Sequence, residues 1–335
     1  MINELESLIC SMEFLQSYSA SFKSYLDHFV SENRTPKSLY DPSDYILQLG
    51  GKRLRPILVL MACKYFNADY KKALPAALAV EVFHNFTLVH DDIMDDAPLR
   101  RGNQTVHEKW DLNTGILSGD AMLILAYQLF ESYEPEVFKK LVSLFCQTAL
   151  EVCEGQQYDV DFEKRNDVQV EEYIKMIEYK TSVLVACALK MGAIIGGASQ
   201  QDSNAMYDFG KYLGIAFQLQ DDYLDAFGNP EAFGKQVGGD ILENKKTYLV
   251  IKALELAAND DRESLLKAML IKEKSLEKVE NVKAIFMKSG ATEVTLKAII
   301  DFTAKAFAQL DLLSISEDSK NELRSFGRYL MQRES

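Results

Sequence analysis

Proline is scarce: seven occur in 335 residues, none lies between Pro135 and Pro230, and none follows Pro230. Stretches of that length without a residue that breaks the backbone hydrogen-bond ladder exclude a protein built from many short strands and turns, and point to long helices. No apolar run reaches the ~20 residues that span a bilayer. The most apolar one, around residues 73–89, is interrupted by Glu81, His84 and Asn85, so no membrane insertion is expected. The opening MINELESLICSMEFLQ is acidic and lacks a basic segment ahead of an apolar one, so no export signal is read there. The five cysteines, Cys10, Cys63, Cys146, Cys153 and Cys187, are odd in number and spaced like neither a disulfide framework nor a zinc site. A reducing, cytoplasmic setting is expected. An excess of positive charge is also missing. With 50 Asp and Glu against 37 Lys and Arg, the net charge is −13, so no global field attracts a nucleic-acid backbone or an anionic membrane. An anionic substrate would have to be held by a local cluster or by metal. GxSxG, HExxH, P-loop and GxGxxG patterns are absent, and His28, His84, His90 and His107 lack zinc-ligand spacing.

What the chain has in quantity is apolar side chains: 47% of residues are hydrophobic and 26% charged, enough for a large core and too apolar for disorder. Turn signals cluster at residues 33–43, 97–103, 134–135, 196–203 and 228–239, with apolar-periodic segments between them. No linker, fixed-period repeat or low-complexity tract interrupts the chain. The reading is a single all-α domain over residues 1–335, with the more charged segment 252–335 forming peripheral C-terminal helices.

The sharpest chemical signal is Asp91-Asp92-Ile93-Met94-Asp95-Asp96, at the end of an apolar segment and ahead of Pro98 and Arg100-Arg101. On a helix Asp91 and Asp95 share a face, where two like charges are destabilising unless a hard divalent cation bound by carboxylate oxygens compensates. A solvated acidic helix end explains one such motif equally well. Asp221-Asp222-Tyr223-Leu224-Asp225 repeats the spacing after a second apolar segment, Tyr212 to Gln220, and the coincidence is hard to explain as surface. If the two motifs face each other across a cavity, they line a mouth for several Mg²⁺ ions, which take one or two carboxylates plus substrate phosphates. The implied ligand is a diphosphate. Gly50-Gly51-Lys52-Arg53-Leu54-Arg55-Pro56 feeds three cations into a helix start, which suits phosphate capture. Alone it is also an ordinary basic loop. It gains weight beside Arg100-Arg101, Lys180, Lys235 and Lys245, because an acidic protein that handles diphosphates must concentrate its cations.

In order along the chain, these segments resemble the signatures of the trans-isoprenyl diphosphate synthases: GGKRxRP, HDDIMDxxxxRRG, GQxxD, KT, FQxxDDxxD and GKxxGxD, with counterparts from Gly50 to Lys246. The resemblance implies an all-α helical bundle around a deep central cavity, a homodimer, and chain elongation by isopentenyl diphosphate. Carried over residue by residue, Asp91 and Asp95 bind two Mg²⁺ ions and Asp221 a third. Asp92 and Asp225 act as supporting acids, and Asp222 completes the second motif. Arg100, Lys180, Lys235 and Lys245 neutralise the allylic diphosphate, while Lys52, Arg55, His84 and Arg101 hold isopentenyl diphosphate. Thr181 and Gln218 line the forming carbocation, and Gln156 with Asp159 supports the site. These last four are also explicable as ordinary buried polar residues with hydrogen-bond partners. His90 reads as structural and the Met and Phe residues of 122–130 as core.

The residue types fit a 1'–4 condensation of an allylic diphosphate with isopentenyl diphosphate. Departing diphosphate develops charge that metal and fixed cations stabilise, and no side-chain nucleophile is required. A class I terpene cyclase would not need the Lys52 to Arg55 segment, and a non-catalytic partner subunit is expected to have lost an acidic motif, whereas both are intact. The absence of a two-residue insertion in the first motif resembles archaeal and eukaryotic-style spacing. Product length is read from the helix ahead of Asp91. Thr87 lies one turn down on nearly the same face, Phe83 about two turns down, and Phe86 is the fifth residue before the motif, a position that limits elongation in the family. An aromatic at 86 followed by a small residue at 87 resembles the geranylgeranyl diphosphate synthases. Farnesyl diphosphate or a longer polyprenyl diphosphate is the alternative product.

Overall fold

In the computed structural model, which describes residues 13–228, 238–271, 273 and 275–332, the proline-poor stretches are helices. The chain divides into two compact units. Among the described residues, the first comprises 13–145 and Ala188–Ser203, the second Cys146–Cys187 and those from Asn204 to Gln332, and the division falls inside three helices.

The first unit carries α1 (Glu13–Val30), α2 (Lys37–Gln48), α3 (Leu54–Tyr65) and α4 (Leu74–Met94). After them come a two-stranded antiparallel hairpin of β1 (Leu99–Arg100) and β2 (Asn103–Gln104), then α5 (Val106–Lys109), α6 (Leu112–Gln128) and the start of α7 (Pro135–Glu163). Pro75 sits in the first turn of α4, where its missing N–H costs nothing. From Ala76 to Phe83 every residue of α4 is buried, the all-round burial of a helix at the centre of its unit, and it packs against α3 and α6. Phe145 is completely buried and meets three aromatic rings, Phe83 at 5.1 Å, Tyr127 at 5.0 Å and Phe130 at 5.1 Å, while Phe83 also meets Phe86 at 5.5 Å. Met122 and Phe130 are fully buried, in keeping with the core assigned to 122–130.

Three turn signals resolve differently from expectation: the one at 196–203 gives way to helix at Gln200, while that at 228–239 lies mostly outside the described residues. The loop read over 33–43 ends early, because α2 begins at Lys37 and holds Pro42 in its interior. The lost helical hydrogen bond is offset by burial of Pro42, Ile46 and Leu47. The segment 97–103 is largely the hairpin, a small exception to an otherwise helical chain.

The second unit continues α7 and adds α8 (Val170–Ile177), one π turn (Glu178–Ser182), the start of α9 (Val183–Ile195) and α10 (Gln200–Phe227) from Asn204 onward. It closes with α11 (Gly239–Leu242), α12 (Tyr248–Leu256), α13 (Asn259–Ala268), α14 (Leu276–Ser289), α15 (Ala291–Asp311) and α16 (Glu317–Gln332). Its helix starts are marked by local chemistry. Gln169 and Glu172 form a reciprocal capping box at α8, and Thr247 and Ser275 accept the Val250 and Lys278 N–H groups at α12 and α14. Leu265, Val282, Phe286, Leu310, Leu323 and Phe326 are all buried, so the helices after residue 252 supply interior as well as surface. Among the described residues no helix is long and apolar enough to cross a membrane. Cys63, Cys146, Cys153 and Cys187 are free thiols, and Cys10 lies outside the described residues.

Removing the ring that three others rest on leaves a cavity in the first unit. Phe145→Ala is expected to lower the free energy of unfolding by about 3–5 kcal/mol. Urea titration followed by circular dichroism measures it, and an unchanged midpoint would show that the cluster contributes nothing.

Candidate active site

The first acidic motif closes α4. Asp91 to Met94 are its last four residues, and Asp95 is the C-cap, its N–H donating to the Asp91 carbonyl at 2.9 Å. Carboxylates at this end are opposed both by the helix dipole and by each other. The hairpin supplies one answer, since its first strand carries Arg100, whose Nε and Nη2 reach both carboxylate oxygens of Asp92 at 2.5–2.9 Å. Asp92 is 1% exposed. Burial pushes its carboxyl up, and Arg100 pulls it back down. Asp91 is half-buried, with Arg100 Nη2 at 3.8 Å, and Asp95 is exposed. Asp91 and Asp95 thus offer hard oxygen donors four residues apart, the chemistry Mg²⁺ requires.

The basic loop lies in the same unit. Gly50 and Gly51 have positive φ, and a Cβ on Gly51 would come within 2.8 Å of the Arg101 guanidinium, which donates to the Gly50 carbonyl. Arg53 does not stand with the phosphate-binding candidates. It pairs with Glu81, whose side chain is 3% exposed, and donates to the Leu47 carbonyl. Arg55 Nη1 and His84 Nε2 are 3.2 Å apart. Burial and then the surrounding Arg55, Arg101, Arg53 and Arg100 hold His84 well below its ordinary pKa, so its imidazole is neutral at pH 7. With Arg55 donating to Nε2, the imidazole proton resides on Nδ1. Among the described residues Arg55 Nε–H is buried without a hydrogen-bond partner, a donor suited to an anion. Lys52 is exposed on the loop. Thr87, half-buried, donates from Oγ1 to the His84 carbonyl at 2.8 Å, while Phe83 and Phe86 are buried. His90 lies against the Phe86 ring at 4.9 Å, with Nε2 3.2 Å from the Ile116 carbonyl, the structural position expected of it.

The second unit holds the other candidates. Asp221 is half-buried near the end of α10, and Asp222 beside it is 5% exposed. The Tyr173 hydroxyl donates to Asp222 Oδ2, and Gln218 Nε2 donates to its Oδ1 at 3.2 Å. Burial, then Asp240, raises the Asp222 carboxyl pKa. Asp225 Oδ2 accepts the Asp240 N–H at 3.0 Å, and burial followed by the Asp240 charge pushes its pKa up to about 6. Thr181 Oγ1 donates to Gln218 Oε1 at 3.3 Å, and Lys180 Nζ lies 2.5 Å from Asp159 Oδ2. Gln156, half-buried, is on α7 one turn before Asp159. Lys245 lies 3.6 Å from Asp240 and 3.3 Å from Glu243. Burial would lower its pKa, but these acids and Asp159 outweigh it and raise it. Lys235 lies outside the described residues.

Within the first unit the structure therefore joins Asp91, Asp92 and Arg100, and separately Arg55 and His84. Within the second it joins Lys180 with Asp159, Thr181 with Gln218 and Asp222, and Asp225 with Asp240 and Lys245. Sequence reasoning missed three supporting groups. Asp240 ends the GKxxGxD segment and had a signal to find it. Glu81, among apolar neighbours, and Tyr173, on an amphipathic segment, had none.

The sequence profile of the polyprenyl synthetase family matches residues 36–287. A short chain isoprenyl diphosphate synthase of Methanothermobacter thermautotrophicus is 37% identical over 96% of this chain and 98% of its own length. A geranylgeranyl diphosphate synthase of Methanosarcina mazei is 36% identical over 98% and 99%. Among solved structures, a geranylgeranyl pyrophosphate synthase matches with a TM-score of 0.91 and 55% identity, covering 96% of this chain and 99% of that one.

The Arg53–Glu81 pair is buried, so truncating the cation strands a carboxylate in the interior. Arg53→Ala is expected to cost about 3–5 kcal/mol in unfolding free energy, read by denaturant titration. A loss below about 1 kcal/mol, the range of an exposed pair, would contradict this burial.

Proposed function

The chain belongs to the polyprenyl synthetase family, and from that premise we propose how its residues carry out the reaction and which product they make. It is a prenyltransferase that elongates a prenyl chain with isopentenyl diphosphate and an allylic diphosphate. Enzymes of this family depend on Mg²⁺. We assign one metal-binding role to Asp91 and Asp95 with two ions, and another to Asp221 with a third. Bound metal neutralises the charge that develops on the departing diphosphate. Arg100 is fixed by Asp92 and turns its remaining donors to the same group. Lys180, held by Asp159, and Lys245, held by Asp240 and Glu243, add positive charge, as does Lys235 by its place in the motif. Thr181 and Gln218 face the forming carbocation, and Gln156 supports them.

Isopentenyl diphosphate falls to Lys52, Arg55, Arg101 and His84. The buried Arg55 Nε–H and the neutral His84, with its proton on Nδ1, donate to the anion without adding another cation to a crowded cluster. The observation that carries the reading is the pattern common to both acidic motifs: the second aspartate is buried and held by protein donors, and the first is left more accessible. A single catalytic domain, a homodimer and a cytoplasmic location complete it.

For product length, α4 descends about 6 Å every four residues, so Thr87 and then Phe83 lie below Asp91, with Phe86 to the side. Small Thr87 lets a tail pass, and Phe83, backed by Phe145, sets the floor. We propose geranylgeranyl diphosphate, a reading supported by the names of the Methanosarcina relative and of the 55%-identical structure.

The purified chain with Mg²⁺, radiolabelled isopentenyl diphosphate and dimethylallyl, geranyl or farnesyl diphosphate should condense without a second protein. Asp91→Ala and Asp221→Ala should each lower turnover by orders of magnitude with unchanged circular dichroism. Near-normal turnover of either variant at saturating Mg²⁺ would reject the metal assignment, cyclisation of a single substrate would favour a cyclase, and a requirement for another chain would favour a partner subunit. Chromatography of the dephosphorylated products should show a twenty-carbon alcohol, lengthened by Phe83→Ala or Phe86→Ala and shortened by Thr87→Phe. Unchanged product in all three variants would mean that α4 is not the ruler.

A further inference from the structure

Between α8 and α9 the chain stays helical but passes through the π turn Glu178–Ser182, where the Val183 N–H donates to the Glu178 carbonyl, five residues back. Such a turn holds one residue more than an α-helix accommodates, and it survives only where its surroundings reward it. Two helices touch this one at glycines. A Cβ on Gly155 of α7 would lie 2.2 Å from the Lys180 backbone nitrogen and 2.7 Å from the Tyr179 carbonyl carbon. A Cβ on Gly214 of α10 would lie 2.8 Å from both Cα and Cβ of Ser182. Side-chain Cβ atoms essentially never approach closer than 3.0 Å, so neither position admits even alanine without displacement.

One helical turn beyond each glycine, the same helix takes hold of a side chain from the bulge. On α7, Asp159 follows Gly155 by four residues and pairs with Lys180. On α10, Gln218 follows Gly214 by four and accepts from Thr181. Residues four apart share a helix face, so each helix meets the π turn at two points, one through bare backbone and one through a polar side chain.

We propose that Gly155 and Gly214 are positioning residues that seat the π turn and thereby aim Lys180 and Thr181 at the allylic substrate. The inference rests on the roles given to those two residues above and adds the device that places them. Its action is on orientation: misplacing a group by about 1 Å can cost about 100-fold in rate.

The test uses the full-length enzyme with Mg²⁺ and both substrates. Gly155→Ala should lower kcat at least tenfold and raise KM for the allylic diphosphate, leave KM for isopentenyl diphosphate within twofold, and keep a cooperative thermal transition. Placing Gly155→Ala in a Lys180→Ala background should add little further loss, because the glycine acts through the lysine; multiplication of the two effects would indicate a general structural role and overturn the proposal. Deleting Tyr179, which removes the extra residue and restores an uninterrupted α-helix, should preserve folding and abolish turnover. Wild-type kcat and allylic KM in that deletion, or in Gly155→Ala and Gly214→Ala, would also overturn it. If Gly155→Ala does not fold, Gly214→Ala and the deletion decide. Failure of the unmodified chain to condense the substrates would refute the assigned reaction instead.

Discussion

Adjacent carboxylates repel, and both acidic motifs resolve that repulsion by sending one aspartate inward. Asp92 goes to Arg100 and Asp222 to Tyr173 and Gln218. A buried carboxylate is tolerable only when its oxygens are hydrogen-bonded, so the partners are not optional. Arg100 must be carried on a tight hairpin, and Tyr173 must sit on a helix whose start is fixed by its own capping box. Asp91 and Asp221 are left more accessible, with oxygen chemistry suited to a hard cation. Much of the local architecture in each unit is what the inward aspartate requires.

The cations follow a related logic in the opposite sign. Burial, and then neighbouring arginines, lower the pKa values of Arg55, Arg101 and His84 in the first unit. Glu81 holds Arg53 and Asp92 fixes Arg100, while the neutral His84 adds a donor without adding a charge. In the reaction proposed above, a cluster balanced this way would hold isopentenyl diphosphate, which a chain of net charge −13 does not attract by its overall field.

Much of this was legible in the sequence because it is written in short-range patterns. Scarce proline announces long helices, and two DDxxD segments announce the acidic positions wherever the helices lie. What residue type and spacing alone did not distinguish was the division of labour among like residues. Without the family resemblance, Asp91 and Asp92 read alike until one is buried, and Arg53 and Arg55 read alike until one meets Glu81. That difference is set by tertiary neighbours such as Glu81 and Tyr173, which read in the sequence as ordinary positions of amphipathic or apolar helices. Pro42 misled for the same reason, since its local preference for a loop is overridden by burial of the helix that contains it. The π turn left no trace at all: an extra residue in a helix has no composition of its own and is visible only against the glycines that face it.

The basic cluster has a consequence for the order in which the protein is made. Its pairs join residues 53 and 81, 55 and 84, 92 and 100, and 50 and 101. Loops of this length cost little entropy to close, and that cost grows slowly with length. Every partner in them has been synthesised by residue 101, more than a hundred residues before the second acidic motif exists. On the ribosome, these four pairs can close before the second acidic motif is translated, while the packing of α4 still waits for α6 and Phe145.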